Sequence, residues 1–379
     1  MNNKIRAIGA LVLVLIWVGL TGFAWFGEAE MTSDWERREL KQWPGISMDM
    51  ILDGEFQEKF EDYTLDQFPL RDRFRQIKSM FQYYVMQRGD NNDIYIVDGY
   101  ASQMDFPLNE KRIEGNISRF NKIYETYLKD AGCKSYVAIV PDKGYYLAEG
   151  NGYLSMDYEK LFSMIQTGMP WATNVDLTDV LTIEDYYYTD THWRQECLIP
   201  AAQKLAAAMG VTLPQTEDFT AQKLDRKFFG VYYGQAALPM DSEDMYILRS
   251  DLLDACKVYQ VLTTPQNEVY DKPIEMYDLS KVYGENASSD MYDLFCSGET
   301  DGSIIRIDNP NAATDRELIV FRDSFTRSMI PLLVQDYATV TLVDIRWINS
   351  SMLDRYLTFD GQDVLFMYST LVLNSTVVK

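Results

Sequence analysis

Short, uninterrupted apolar runs, each beside a helical pattern, constrain this chain more than any single residue does. YVAIVP at 136–141 comes directly after NEKRIEGNISRFNKIYETYLKDAG at 109–132, which reads as a helix stopping at Gly132. NVDLTDVL at 174–181 carries a further strand, and WRQECLIPAAQKLAAAMG reads as helical in spite of Pro200. ELIVF at 317–321 leads into a helix from about Ser324 to Gln335, and ATVTLVDIRWI at 338–348 follows. Strands that are apolar throughout are buried on both faces, and their alternation with helices predicts an α/β fold. The expected core is a mainly parallel sheet flanked by helices. Residues 211–310 break the rhythm with short alternating runs such as GVYYGQAALP and DMYILR, which predicts a β-rich insertion or lid. Before the sheet, residues 54–87 have helical spacing interrupted at Pro69, and NDIYIVDGYA at 92–101 is a short β run ending in a turn.

The first residues set the compartment. Lys4 and Arg6 precede an uncharged stretch from Ala7 to Gly27, about the ~20 residues a helix needs to cross the hydrocarbon layer. The basic end predicts an uncleaved anchor over 1–27, facing inward, with a polar stalk over 28–53 and an exported domain over 54–379. The expected localisation is the cell membrane, single-pass with an extracellular domain. The alternative is a cleaved signal peptide, with a poor small-x-small site at Gly22–Phe23–Ala24, which would make the protein secreted. A net charge of −22 disfavours nonspecific attraction to nucleic acid or to an anionic membrane surface. Cys133, Cys197, Cys256 and Cys296 match no metal spacing, leaving either disulfides, in one of three pairings if all four bond, or free thiols. The 26 tyrosines are compatible with a sugar-binding surface and equally with core and rim aromatics.

The chain contains one histidine, His192, in YYYTDTHW at 186–193. Asp190 lies two residues before it, close enough in a tight loop to fix the imidazole tautomer and leave the other nitrogen to take a proton. FRDSF at 321–325 supplies the complementary group: Ser324 sits between a strand and a helix, where a nucleophile is presented at the carboxyl edge of a sheet. Ser324 and Asp323 are equally good helix caps, and a structural His192 is the plain alternative. A metal site is the poorer reading, because zinc enzymes draw on several His, Cys or carboxylate ligands; no cofactor is expected. The nearest oxyanion donors are the backbone N–H groups around Ser324 and Phe325, with Arg322 and Asp323 as local support. Asp142, Lys143 and Tyr146 follow a strand end and either line the same cleft or form a capped loop. Asp344 and Arg346 in VDIRWI either support the site from behind or make a structural ion pair.

DTHW at 190–193, RDSF at 322–325 and VDIRW at 343–347 together resemble the DHHW family of exported bacterial proteins, similar to the alginate O-acetyltransferase proteins AlgX and AlgJ. FPLRDRF at 68–74, DGYA at 98–101 and IVPDKGYY at 139–146 extend the resemblance over most of the chain, from about Gly54 to Leu371. It implies an SGNH-hydrolase-like α/β domain with its blocks in permuted order. It also implies Ser324 as nucleophile, His192 as base and Asp190 as its orienting acid, with Trp193 closing the motif. The implied activity is O-acyl, usually acetyl, transfer to an exported or cell-surface polysaccharide, often with a membrane-bound O-acyltransferase as donor partner. A carbohydrate esterase, or a non-catalytic glycan-binding or assembly protein, are the alternatives. Two positions depart from the pattern: Thr191 replaces the first histidine, and Arg322 stands where the alginate proteins carry glycine. Arg322 either fills the oxyanion pocket or helps to hold an anionic group.

Overall fold

The computed structural model describes residues 3–33, 35–264, 266, 268–284, 287–296, 304–376 and 378. It separates into two compact units. One comprises residues 1–92 with 233–239, the other 93–232 with 240–379.

The larger unit is built on a sheet whose strands are β1 (Lys134–Val140), β2 (Thr173–Asn174), β3 (Lys257–Thr263), β4 (Val269–Ile274), β5 (Ile304–Asp308), β6 (Arg316–Arg322), β7 (Tyr337–Val343) and β8 (Asp363–Ser369). Their spatial order is β4-β3-β5-β7-β6-β8-β1-β2. From β7 to β2 every pairing is parallel, whereas β5 joins β7, and β3 joins β5 and β4, antiparallel. The sheet is therefore mixed: parallel over the strands expected to be so, and antiparallel where β5, β3 and β4 extend it. Within the segment read as an insertion, β3, β4 and β5 lengthen the central sheet, while the strands Thr220–Lys223 and Tyr246–Arg249 pair separately from it.

Side chains of the parallel strands alternate between two cores. Leu318, Val320, Leu365 and Met367 face one, with Leu198, Ala202 and Leu205 from the helix Ile199–Met209 and the residues before it. Ile319, Phe321, Val364 and Phe366 face the other, with Ile113 and Phe120 of the helix Glu110–Ile123 and Leu161 and Ile165 of Tyr158–Gly168. Each such side chain contributes about 1.5–3 kcal/mol by leaving water, so both faces of the sheet are required. Pro200 lies in the first turn of its helix, where its missing donor is harmless, and so starts the helix without interrupting it. The strand expected over 174–181 is reduced to Thr173–Asn174. The helix expected to reach Gln335 is one α-turn, Thr326–Met329, followed by a 3₁₀ turn at Ile330–Leu332 that contains Pro331. All four cysteines are free thiols.

The smaller unit carries the helix Asn3–Phe26, whose stretch Ile5–Ala24 is long and apolar enough to cross a membrane. The helices Glu55–Asp66 and Arg71–Met80 are separated around Pro69, as the spacing predicts. Arg38 makes paired contacts of 2.7 and 2.5 Å to Asp66, tying residues of the stalk segment to the first of these helices. That hydrogen bonding holds the Asp66 carboxyl down to about 2.

Candidate active site

Strand β6 ends at Arg322, and in the run from Phe321 to Ile330 Ser324 is the one residue that is not buried. Asp323 makes this presentation rigid. Its fully buried carboxylate accepts from the Phe325 amide at 3.0 Å and from the Ser369 amide, at the end of β8, at 2.6 Å. The Phe325 amide, one of the two oxyanion donors expected from sequence, is therefore engaged by the neighbouring side chain.

His192 comes to Ser324 from the loop before the helix Ile199–Met209. Its Nε2 lies 2.7 Å from Ser324 Oγ, and its Nδ1 lies 2.6 Å from Asp190 Oδ1, which also accepts from the His192 amide at 3.0 Å. The second Asp190 oxygen accepts from the Val231 amide at 2.8 Å. A buried carboxylate with both oxygens occupied keeps its position, and its oxygen at Nδ1 fixes the Nδ1–H tautomer. Nε2 is then free to accept the serine proton.

The imidazole plane is set by Tyr292, whose ring stacks on it at 3.8 Å with 6° between planes. Tyr292 is held through its hydroxyl, 2.6 Å from Ser328 Oγ, and Trp193 Nε1 donates to that same oxygen at 2.9 Å and to the Phe325 carbonyl at 3.0 Å. Trp193 thus closes the motif by locking the histidine loop to the turn after Ser324. Thr191, at the position of the missing histidine, accepts from the Tyr232 hydroxyl at 3.0 Å.

Three distant segments hold the loop from beneath. Glu243 accepts from the amides of Tyr188 and Thr189, each at 2.8 Å, and from the Thr189 hydroxyl at 2.6 Å. Gly230 lies so close to Asp190 that an added Cβ would fall 2.3 Å from its backbone. Lys143, fully buried, donates to the carbonyls of Tyr187 at 2.9 Å and Tyr188 at 3.2 Å. Burial pushes its ammonium down to about 7, against the opposing pull of Asp190, Glu243 and Asp142.

Asp142 caps the helix Lys143–Leu147 through Gly144 and also binds Thr370 at 2.6 Å and Tyr158 at 3.0 Å; burial pushes its carboxyl up. The Tyr146 ring packs against Tyr186, 5.8 Å between centroids. Asp142 and Tyr146 thus occupy the capped-loop position, and Lys143 reaches the site only through the histidine loop's carbonyls. Arg322 is buried with Asp344 3.6 Å away, and Asp344 is gripped by Arg346 at 2.9 and 2.6 Å. Burial works against the Asp344 carboxylate, but Arg346 and Arg322 outweigh it and hold it below its ordinary range. The arginine in the glycine position is accordingly absorbed by an ion-pair network behind the turn.

Among the described residues no group of three or more His, Cys, Asp or Glu side chains gathers as a metal-holding cluster. Tyr292, Ser328, Glu243 and Gly230 were not singled out from sequence. Ser328 lies one helical turn beyond Ser324 and was open to that inference; the others lie in the segment read as an insertion and carry no motif.

No protein-family model and no curated protein sequence matches the chain. Solved structures match its fold. A DHHW family protein from Eubacterium siraeum is 18% identical, covers 76% of this chain and 94% of its own, and superposes with a TM-score of 0.57. PatB1 of Bacillus cereus is 18% identical over 76% of this chain and 98% of its own, with a TM-score of 0.56, and has also been solved with a sulfonyl adduct. At these identities the likeness is one of fold.

Proposed function

We propose that this protein is a serine-dependent O-acyltransferase, anchored in the membrane by its first helix, that modifies an exported or cell-surface polysaccharide. The observation that carries this reading is the chain of contacts Ser324 Oγ–His192 Nε2 at 2.7 Å and His192 Nδ1–Asp190 at 2.6 Å. His192 takes the hydroxyl proton as Ser324 Oγ adds to the acyl carbonyl, with the Ser324 amide as the local donor to the developing oxyanion. The tetrahedral intermediate expels the donor's leaving group, which receives the proton from His192. A sugar hydroxyl then attacks the acyl-serine and gives its proton to His192, and collapse returns that proton to Ser324. Asp190 holds the imidazole and stabilises its charged form throughout. Water in place of the sugar gives ester hydrolysis by the same steps. An acyl group supplied from the cytoplasm calls for a multi-span membrane O-acyltransferase partner, since a single spanning helix offers no path across.

The likeness to PatB1, which carries a sulfonyl adduct in one structure, suggests the probe. The full chain in detergent is treated with a sulfonyl fluoride or p-nitrophenyl acetate and followed by intact mass, beside Ser324→Ala. One sulfonyl or acetyl group on the parent and none on the variant is the expected result. Loss of the acetyl that depends on an added sugar oligomer identifies the transferase, and loss in buffer alone the esterase. Equal labelling of parent and variant would remove Ser324 from the mechanism.

A further inference from the structure

The helix Arg71–Met80 runs on through Val85 as a π turn, and its amphipathicity is inverted. Its inward face is polar: Ser79 is buried and accepts from Asn91 at 2.9 Å, while Arg71 and Arg75 contact Glu36 at 2.5 and 3.3 Å. Its outward face carries Phe74, Ile77, Phe81, Tyr84 and Val85, spaced to fall on one stripe. All are exposed, Ile77 at 63% and Val85 at 65%. Exposed cations, Arg73, Lys78 and Arg88, fringe the stripe. A contiguous apolar face of this kind marks a surface that meets something other than water.

Two features indicate what covers it. The first is continuity with the apolar N-terminal helix inside the same compact unit: Phe60, Tyr63 and Phe68 line one cleft with Trp17, Leu20 and Ala24. Leu70 and Arg71 line another with Phe23. The start of the inverted helix is therefore level with the last turns of the apolar span, where a bilayer changes from hydrocarbon to headgroups. The second is charge. Arg71 and Arg75 are taken up by Glu36, whereas Arg73, Lys78 and Arg88 stand exposed along the stripe, in a chain of net charge −22. An anionic headgroup layer repels most of this protein and attracts this segment.

We propose that the stripe from Phe74 to Val85 lies in the interface of the same bilayer that holds the N-terminal helix, its side chains among the upper acyl carbons and its cations on anionic lipid headgroups. The proposal rests on the membrane-anchor reading above. The full chain is reconstituted in phosphatidylcholine bilayers, with or without phosphatidylglycerol, containing a phospholipid with a diazirine in its acyl chain. After illumination the labelled peptides are mapped by mass spectrometry.

Label is expected on 74–85 as well as on 5–24, and more of it when phosphatidylglycerol is present. The double variant Ile77→Glu/Phe81→Glu, both at exposed positions, should lose label from 74–85 by about tenfold and keep it on 5–24. Label on 5–24 alone in the parent overturns the proposal. Label on 74–85 without 5–24 leaves the interfacial helix standing and overturns the anchor reading. A photo-crosslinking residue at position 77 in cells that captures a protein, another copy included, in place of lipid overturns the proposal in favour of a protein-docking face.

Discussion

The turn that presents Ser324 and the loop that presents His192 meet across 2.7 Å, yet they are held in opposite ways. The serine turn is held locally: Asp323 binds the second residue after itself and the end of the adjacent parallel strand β8, and Ser328 lies within the next turn. The histidine loop closes on itself through the Tyr187–His192 and Arg194–Asp185 backbone bonds, but its placement depends on groups from distant segments. Its carbonyls rest on Lys143 after β1, its amides on Glu243, and its aspartate against Gly230. A nucleophile at a strand end comes almost free with a parallel sheet, whereas an acid–base loop must be positioned by side chains brought from elsewhere. Damage far from the chemistry in sequence should therefore fall on the histidine side.

The largest expected effect comes from Gly230→Ala. The new Cβ meets Asp190 backbone atoms at 2.3 Å, which no side-chain rotation relieves, so the loop must move. Overpacking of this kind costs about 1–3 kcal/mol, and a displacement of about 1 Å of the base lowers turnover roughly 10²-fold. Denaturant unfolding beside Ser324 acylation rates checks both. Near-parental acylation would show that Asp190 does not need its position. Glu243→Gln is next. It keeps the shape but turns one of the two oxygens that together accept from two amides and a hydroxyl into a donor, at about 1.5–3 kcal/mol of stability. Acylation should fall by about an order of magnitude. A variant that is destabilised yet acylates normally would break the claimed link between Glu243 and His192.

That asymmetry also explains what was legible in the sequence. Asp190, His192 and Ser324 could be singled out because the chain's one histidine has an aspartate two residues before it and because the serine stands between an apolar strand and a helix. β1, β6 and β7 were visible as apolar runs because they are buried on both faces; β8, DVLFMYS at 363–369, is buried throughout as well but was not singled out. β3 and β4 were not recognised as sheet extensions, because strands such as VYDKPI at 269–274 alternate or expose polar residues and look the same whether they join a central sheet or a separate hairpin. Gly230, Glu243 and Tyr292 were illegible for a different reason. Their roles exist only through contacts 38 to 100 positions away along the chain from the histidine, and nothing in their local sequence encodes the partner. The helix over 71–85 was read correctly as helix, but the apolar stripe that signals a core in most helices here faces outward.

Tyr292 tests the one contact that spans both sides, since its ring stacks on His192 while its hydroxyl binds Ser328. Tyr292→Leu removes the stack, worth about 0.5–1.5 kcal/mol, so acylation should fall about three- to tenfold. Tyr292→Phe keeps the ring and should retain most of the rate. If the two variants fall equally, the hydroxyl and not the stack positions the imidazole.

A different readout, pH dependence, tests the support beneath the histidine loop. The Lys143 ammonium is pushed from its ordinary 10.5 down to about 7 by burial. Between those values the unfolded chain holds the proton and the folded chain does not, so this group makes stability rise with pH across that window. Below about 7 both states are charged and the burial penalty is present in full. Lys143→Met removes the titration, and the stability of the variant relative to the parent should fall steadily from pH 7 to pH 9, measured by denaturant midpoint. A constant difference between parent and variant from pH 7 to pH 9 would mean that Lys143 remains charged beneath the histidine loop. The Asp190 and Glu243 carboxylates, which pull its pKa upward, would then prevail over its burial.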